Sequence, residues 1–413
     1  ALLGVAGATL MPSTLSLIRN MFQVDRERTF AITVWMTGFI VGSAIGPLVG
    51  GIILQFFWWG AVFLLGVPVM LLLLVSGRLL LPEFRDAAAG RLDLTSAVMS
   101  IASLLLVIYG LKDMARNGVA ILPVLAIAGG LAVGVLFVRR QRVLAEPMLD
   151  LGLFADRAFS ASVVALLLTI MALSGAWLMV FQYLQGVQGM TPLQAGLAML
   201  PATLGQVLAA LLVPAIARRI RPAVLIPAGL LVAVFGLIVM TLLDGPGAVY
   251  LLIAGTVIMG LGVMPMTILG TDLVISSAPP AKAGAASATS ETAGELGMAL
   301  GIAVIGSIGA AVYRRGTISA IPAELPPELA SVAADTLGGA LSVAAGLPAA
   351  AGAELLAAAR AAFHAALQVN AVIGAAVIVA TAVLIATFLR HLPASSDGAG
   401  EPDTAGIAAP RME

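Results

Sequence analysis

Residues 30–54 read FAITVWMTGFIVGSAIGPLVGGIIL, a run of apolar and small residues without a charged side chain. A helix of about 20 such residues spans the roughly 30 Å hydrocarbon core of a bilayer. Gly38, Gly42, Gly46 and Gly50 recur at every fourth position, a spacing that lets two helices approach closely. The run therefore predicts a membrane-spanning helix with a glycine-lined packing face.

The whole chain has the composition of a membrane protein. Of its 413 residues, 61% are hydrophobic and 10% are charged, whereas soluble domains are about 45–50% apolar and about 25% charged. Membrane-spanning runs are predicted near 1–18, 30–54, 60–81, 94–111, 119–138, 158–181, 193–217, 222–243, 249–274, 285–312 and 366–389.

The distribution of lysine and arginine predicts the orientation in the membrane. With the loops numbered alternately, sixteen of the 21 fall on one side, which the positive-inside rule assigns to the cytoplasm. We therefore expect a bacterial inner-membrane protein with a cytoplasmic C-terminal tail, 390–413. Eleven spans separate this tail from the first residue, which therefore lies on the outside. We expect that three further helices of a fourteen-helix protein precede this chain.

The predicted fold is all-α, with two helical bundles and a helix pair inserted between them. Residues 1–81 would form part of the first bundle, 82–157 the inserted pair with its flanking loops, and 158–389 the second bundle. Acidic residues and prolines interrupt the apolar pattern over 313–365, so we expect an extracytoplasmic helical hairpin there. Its two amphipathic helices are predicted near 327–346 and 349–365.

The composition also excludes several classes of site. The chain has no cysteine, two histidines and no net charge, which disfavours thiolate chemistry, metal sites and nucleic-acid binding. A Gly-x-x-x-x-Gly-Lys-Ser/Thr phosphate-binding loop does not occur in the sequence. We therefore expect that the protein is not an enzyme and binds no cofactor or metal. We also expect a monomer whose partners are the lipid bilayer and small molecules.

Three acidic residues, Asp272, Glu291 and Glu295, lie inside predicted spans, and no lysine or arginine lies deep in any of them. Ionisable groups in a bilayer are costly and usually functional. An interior whose charges are all negative favours cations, whether protons, metal ions or organic cations. The alternative interpretation is an acidic helix end hydrated by the cytoplasm, which applies most readily to Asp272 near the inner end of its span.

Glu291 and Glu295 are spaced i, i+4 and therefore share one helical face. Glu295 would lie roughly 15 Å into a span that begins near residue 285. Two partly desolvated carboxylates close together do not both ionise readily. Such a pair can hold a proton and release it when a cation arrives, which is the exchange an antiporter needs.

A second group of side chains suggests a pocket for an organic cation. Aromatic and soft side chains attract cations through their π faces and polarizable sulfur. Ordinary helix packing is the alternative interpretation for all of these side chains. The candidate pocket residues are Trp177, Phe181, Tyr183, Met199 and Gln206.

Several motifs resemble one family of transporters. The run Gly42-Ser-Ala-Ile-Gly46-Pro47-Leu-Val-Gly50-Gly51 resembles the antiporter motif on helix five of major facilitator drug exporters. The stretch from Pro192 to Leu197 is similar to helix ten of that family. Ala283-Gly284 running into Glu291 and Glu295 resembles helix thirteen of the fourteen-helix drug:proton antiporters, and the long loop after it resembles the hairpin of the quaternary-ammonium and methyl viologen efflux group.

The resemblance implies a proton-coupled multidrug exporter with a major facilitator fold. By resemblance, the antiporter motif corresponds to Gly42, Gly46, Pro47, Gly50 and Gly51, and the coupling acids to Glu291 and Glu295. The implied substrates are lipophilic cations such as quaternary ammonium compounds, viologens, cationic dyes and biguanides. Gln206 stands where some relatives carry an acid. An exporter of a metabolite or siderophore, or a membrane-embedded enzyme, remains the alternative.

Overall fold

A computed structural model describes residues 24–80, 93–144, 147–243, 247–279, 282–322 and 325–388, together with positions 4, 7, 14, 17, 18, 21 and 22. Over these residues the regular structure is entirely helical. The expected all-α fold is thereby confirmed. The chain divides into two compact units, and each is described by itself.

The first unit contains residues 1–92 and 190–200. Its helices are α1 (Asp25–Phe56), the short α2 (Ala61–Leu64) and α3 (Gly66–Leu80). It also includes the start of α7 (Pro192–Ala217). The predicted span at 1–18 falls mostly outside the described residues.

The second unit begins with a helix pair, α4 (Leu94–Asn117) and α5 (Ile121–Gln141). The two helices approach closely because Gly130 has no side chain, and a Cβ there would lie 2.8 Å from the Ser103 carbonyl oxygen. The Ser103 hydroxyl donates to the Gly130 carbonyl at 2.8 Å. Gly118 ends α4 with φ +82°, a conformation that favours glycine.

The remaining helices of this unit form a bundle. Glycines allow two of these helices, α8 and α9, to pack closely. A Cβ on Gly236 would lie 2.6 Å from the Gly255 carbonyl oxygen. A Cβ on Gly229 would lie 2.8 Å from the Gly262 carbonyl oxygen. Helix α10 continues into α11 through a π-helical turn at Gly301–Ile305. The bundle helices are α6 (Arg157–Gln182), most of α7, α8 (Pro222–Val239), α9 (Ala248–Ser276), α10 (Ala283–Leu300), α11 (Gly306–Thr317) and α14 (Ala349–Phe388).

The segment before the last span differs in detail from the sequence prediction. The first predicted helix is split into α12 (Pro327–Asp335) and α13 (Leu337–Ala344), because the Thr336 hydroxyl accepts a bond from the Gly339 N–H and starts a new helix. The second predicted helix, 349–365, is not separate. It runs directly into the last span, because no proline interrupts the alanine-rich helix α14 after Pro348.

Among the described residues, eight helices are long and apolar enough to cross a membrane, and shorter apolar helices lie at Ile45–Phe56 and Ala61–Gly77. The predicted spans from 94 onward all fall within these eight helices, with boundaries shifted by several residues. Predicted spans 30–54 and 60–81 fall on α1 and on α2 with α3.

Candidate functional site

The two candidate coupling acids lie on an exposed face of α10. Glu291 and Glu295 are exposed, whereas Ala293 and Gly297 between and beside them are buried. At 100° per residue, each glutamate lies about 160° around the helix from Ala293. The acids therefore occupy the side of α10 opposite its packed face.

The packed face of α10 and of the following turn is held against α6. A Cβ on Gly297 would come within 2.6 Å of the Leu167 carbonyl oxygen. A Cβ on Gly301 would lie even closer to the Met171 carbonyl oxygen. The Ser174 hydroxyl donates to the Met298 carbonyl at 3.3 Å. Because these small residues fix which side of α10 meets α6, they also fix the direction in which the acids point.

No hydrogen bond or ion pair joins Glu291, Glu295 or Asp272 to any other residue in the described ranges. Asp272 is likewise exposed, near the C-terminal end of α9. The carboxylates in the apolar spans are therefore available to a mobile ion or ligand. Within the same ranges, no three His, Asp or Glu side chains gather as they would around a metal ion.

Two π-helical turns occur in the second unit, and sequence reasoning missed both. One, Gly301–Ile305, follows the helix of the acid pair, and the other, Tyr183–Val187, follows α6. Such turns are rare and occur frequently at functional sites. No residue pattern distinguishes them from α-helix in advance, because they depend on how neighbouring helices pack.

The structure separates the candidate pocket residues into different surroundings. Trp177 and Phe181 stack on α6 with ring centroids 5.7 Å apart. Tyr183 is buried, its ring centroid 6.0 Å from that of His364, and its hydroxyl accepts a bond from the Gln188 amide at 3.3 Å. Trp177 and Phe181 thus offer a partly exposed aromatic surface, while Tyr183 is buried next to His364.

The other two pocket candidates lie on α7. Gln206 packs on α9, where a Cβ on Gly260 would meet its side-chain nitrogen at 2.9 Å. Met199 is 2% exposed and belongs to the first unit, whereas Trp177, Phe181 and Gln206 belong to the second.

The glycines of the candidate antiporter motif fall into two groups. A Cβ on Gly51 would lie 2.8 Å from the Leu193 Cα, and one on Gly196 would lie 3.2 Å from the Pro47 carbonyl oxygen. No described atom lies within 4 Å of a Cβ built on Gly42, Gly46 or Gly50. The end of the motif on α1 therefore meets the start of α7 nearly backbone to backbone.

Comparison with known proteins identifies the family. Residues 1–302 match the Major Facilitator Superfamily. The chain belongs to this superfamily. It is 44% identical over 348 residues to the multidrug efflux pump LfrA of Mycolicibacterium smegmatis, which covers 84% of this chain and 69% of the relative. It is 30% identical over 349 residues to the methyl viologen resistance protein SmvA of Salmonella typhimurium. The matched region covers 84% of this chain and 70% of the relative.

A third similar protein is the multidrug resistance protein Stp of Mycobacterium tuberculosis, 28% identical over 309 residues that cover 75% of this chain and 57% of the relative. The expected membership of a drug-efflux group of the superfamily is confirmed by these relatives. As a major facilitator with many apolar helices, the protein is a multi-pass membrane transporter.

Ion pairs tie the helix ends of this major facilitator together. The Arg140 guanidinium bonds to Asp93 at 3.0 Å, and with Ser96 it lowers the pKa of that carboxyl from 3.8 to about 2. Lys282 contacts Asp150 at 2.6 Å and lowers the pKa of the Asp150 carboxyl. Lys282 directly precedes α10, so this pair anchors the helix that carries the acids.

Sequence reasoning also overlooked Asn370 in the last span. Its amide is 4% exposed and has no hydrogen-bond partner among the described residues. A Cβ on Gly309 of α11 would lie 2.5 Å from the Asn370 amide nitrogen. A single asparagine in an apolar run could have drawn attention to this position from the sequence. Burial of an amide group is costly unless the amide forms hydrogen bonds.

Proposed function

We propose that this protein is a secondary active multidrug exporter that exchanges protons for lipophilic organic cations. The observation that carries the proposal is the exposed pair Glu291 and Glu295 on α10, without a partner among the described residues. The only other acid in a predicted span is Asp272, and no cation lies deep in those spans. The names of two relatives, a multidrug efflux pump and a methyl viologen resistance protein, support the same substrate class.

The proposed exchange needs only the carboxyl groups of this chain. In the proposed exchange, the carboxyl pair binds a proton and a cation alternately. When a lipophilic cation arrives, its charge favours the ionised form and the proton leaves. Inward proton movement then drives outward movement of the cation by alternating access.

The aromatic surface of Trp177 and Phe181 would bind the planar parts of such substrates. A stacked pair presents a wide π face, which attracts cations and aromatic rings. Gln206 and Tyr183, which belong to the same unit, remain candidates for this pocket, and Met199 remains a candidate substrate contact. We further propose that the C-terminal tail is cytoplasmic and that the protein acts as a monomer in the bacterial inner membrane.

The proposal is tested by transport in liposomes with an acidic lumen. Protein expressed from the complete gene is reconstituted, a fluorescent organic cation is added outside, and dye uptake and proton release are followed together. Wild-type protein should accumulate the dye while the lumen becomes less acidic. Glu295→Gln should abolish gradient-driven uptake, because the amide cannot carry the proton.

Glu354→Gln is the matched control, since Glu354 is an exposed acid on α14. It should transport the dye as wild type does. Equal uptake by wild type and Glu295→Gln would refute the role of this carboxyl. Transport of neutral or anionic solutes without regard to Glu295 would favour the alternative, an exporter of a metabolite or siderophore.

A further inference from the structure

A cavity of about 570 Å³ lies within the second unit, at the ends of α4 and α11. The last two turns of α4 form one wall, and α6 and α11 form another. The beginning of α13 and the preceding Asp335 complete it. This is the end of the unit that the distribution of arginine and lysine assigns to the extracytoplasmic side. The cavity does not include Glu291 or Glu295.

The polar part of the cavity is organised by one carboxylate. Asp335 accepts a bond from the Arg116 guanidinium through one oxygen and from the Arg314 guanidinium through the other, each at 2.6 Å. A guanidinium has five N–H donors in a rigid fork. Both arginines are therefore held in place with most of their donors unused by Asp335.

Lys112 adds a third cation to the polar part of the cavity. It is exposed, and no residue in the described ranges forms an ion pair or hydrogen bond with it. The second carboxylate of this part, Asp113, accepts a bond from the Asn117 amide at 2.6 Å. The polar part of the cavity thus contains three cations and two carboxylates, so it carries net positive charge. An organic cation would be repelled from it.

The opposite part of the cavity is apolar. Leu178 and Met179 of α6, Ile302 of the π turn and Phe363 of α14 line it. A site with a cationic rim beside an apolar wall fits an amphiphile with an anionic head group. The rim lies at helix ends, where head groups reside, and basic pockets between membrane helices bind anionic lipid head groups.

We propose that this cavity binds one anionic phospholipid of the outer leaflet. Its phosphate contacts Lys112 and the free N–H groups of Arg116 and Arg314, because guanidinium and phosphate form strong charge-assisted bonds. An acyl chain lies against Leu178, Ile302 and Phe363. The lipid would join the inserted helix α4 to α11 and to the segment that contains Asp335.

The test is a binding measurement on the full-length protein in a neutral detergent. Short-chain phosphatidylglycerol, short-chain phosphatidylcholine and inorganic phosphate are titrated separately, and affinity is read from intrinsic or label fluorescence. Phosphatidylglycerol should bind more tightly than the other two. Lys112→Gln should weaken it about tenfold, as expected for loss of one bond to a charged group.

Arg315→Gln is the matched control, because Arg315 is an exposed neighbour of Arg314 that does not line the cavity. It removes the same charge from the same end of the molecule and should leave the affinity unchanged. Glu295→Gln should also leave it unchanged, so the result is independent of the transport proposal. Melting curves without lipid verify that each variant is folded.

Three results would overturn the proposal. Inorganic phosphate that binds as tightly as phosphatidylglycerol would indicate an ion site without a lipid. Equal affinity for phosphatidylcholine would show that the positive part of the cavity does not select the head group. Equal losses in folded Lys112→Gln and Arg315→Gln would indicate general surface charge rather than this cavity.

Discussion

Gly51 of α1 and Leu193 of α7 meet so closely that a Cβ on Gly51 would lie 2.8 Å from the Leu193 Cα. The same two helices meet at Pro47 and Gly196, where a Cβ on the glycine would lie 3.2 Å from the proline carbonyl oxygen. These residues are far apart in the sequence and belong to separate motifs. Their contact gives the final glycine of the candidate antiporter motif a defined structural role.

Gly51→Ala should destabilise the protein, because its methyl group would collide with backbone that cannot rotate away. The expected loss is about 1–3 kcal/mol, typical of overpacking, measured as a lower melting temperature in detergent. Gly42→Ala is the matched control, with no described atom within 4 Å. It should melt at or slightly above the wild-type temperature, since alanine favours helix. Equal melting of the two variants would contradict the close contact.

The Asp93–Arg140 pair predicts a pH dependence of stability. The pKa of Asp93 is lowered from 3.8 to about 2 in the folded state, so its stabilising contribution is present above about pH 4 and lost as the pH falls towards 2. Asp93→Asn should therefore melt below wild type at neutral pH, and the difference should vanish between about pH 4 and about pH 2.

Arg140→Gln should reproduce the effect of Asp93→Asn, because it removes the partner that lowers the pKa. Arg139→Gln removes an exposed neighbouring charge and serves as its control. A difference between wild type and Asp93→Asn that persists unchanged to pH 2 would show that the ion pair does not stabilise the fold.

Asp335→Asn should loosen α12, because it weakens the bonds to Arg116 and Arg314 that hold the end of this helix. Hydrogen exchange in α12 should become about two- to fivefold faster, since partly exposed ion pairs contribute up to about 1 kcal/mol each. Glu328→Gln changes an exposed acid in the same helix and should leave exchange near the wild-type rate. Equal acceleration in both variants would rule out a specific role for Asp335.

Trp177→Leu should weaken transport of aromatic cations if the Trp177–Phe181 stack binds them. Loss of a cation–π contact of about 0.5–2 kcal/mol predicts a roughly two- to thirtyfold higher KM for a planar dye. A small aliphatic quaternary ammonium ion should be affected less. Trp59→Leu alters a different aromatic cluster, where Trp59 packs against Trp58 and Phe63, and should change neither KM. A similar rise for both substrates would point to altered packing instead.

Periodicity and composition predicted much of the helical architecture. Apolar runs located the spans from residue 94 onward, because the bilayer demands a minimum apolar length. The same reasoning divided 349–365 from the last span, since charged residues suggested a boundary. The structure continues the helix through Glu354 and Arg360, because nothing in the local sequence breaks the backbone hydrogen bonding.

The candidate site shows a similar division. The spacing of Glu291 and Glu295 placed both on one helical face, because 3.6 residues complete a turn. The spacing did not indicate that the opposite face of α10, which contains Gly297, packs against α6. The aromatic candidates were identified by residue type alone, and the structure distinguishes the stack of Trp177 and Phe181 from the buried Tyr183.

The sequence alone determined that this protein is an all-α membrane transporter and which carboxylates lie in its apolar spans. Both follow from local properties, since hydropathy and helical period act along the chain. Only the tertiary structure decided that Asp335 joins Arg116 to Arg314, residues about 200 positions apart. Contacts of this kind depend on how helices pack, and packing is set by the shapes of distant surfaces rather than by any local pattern.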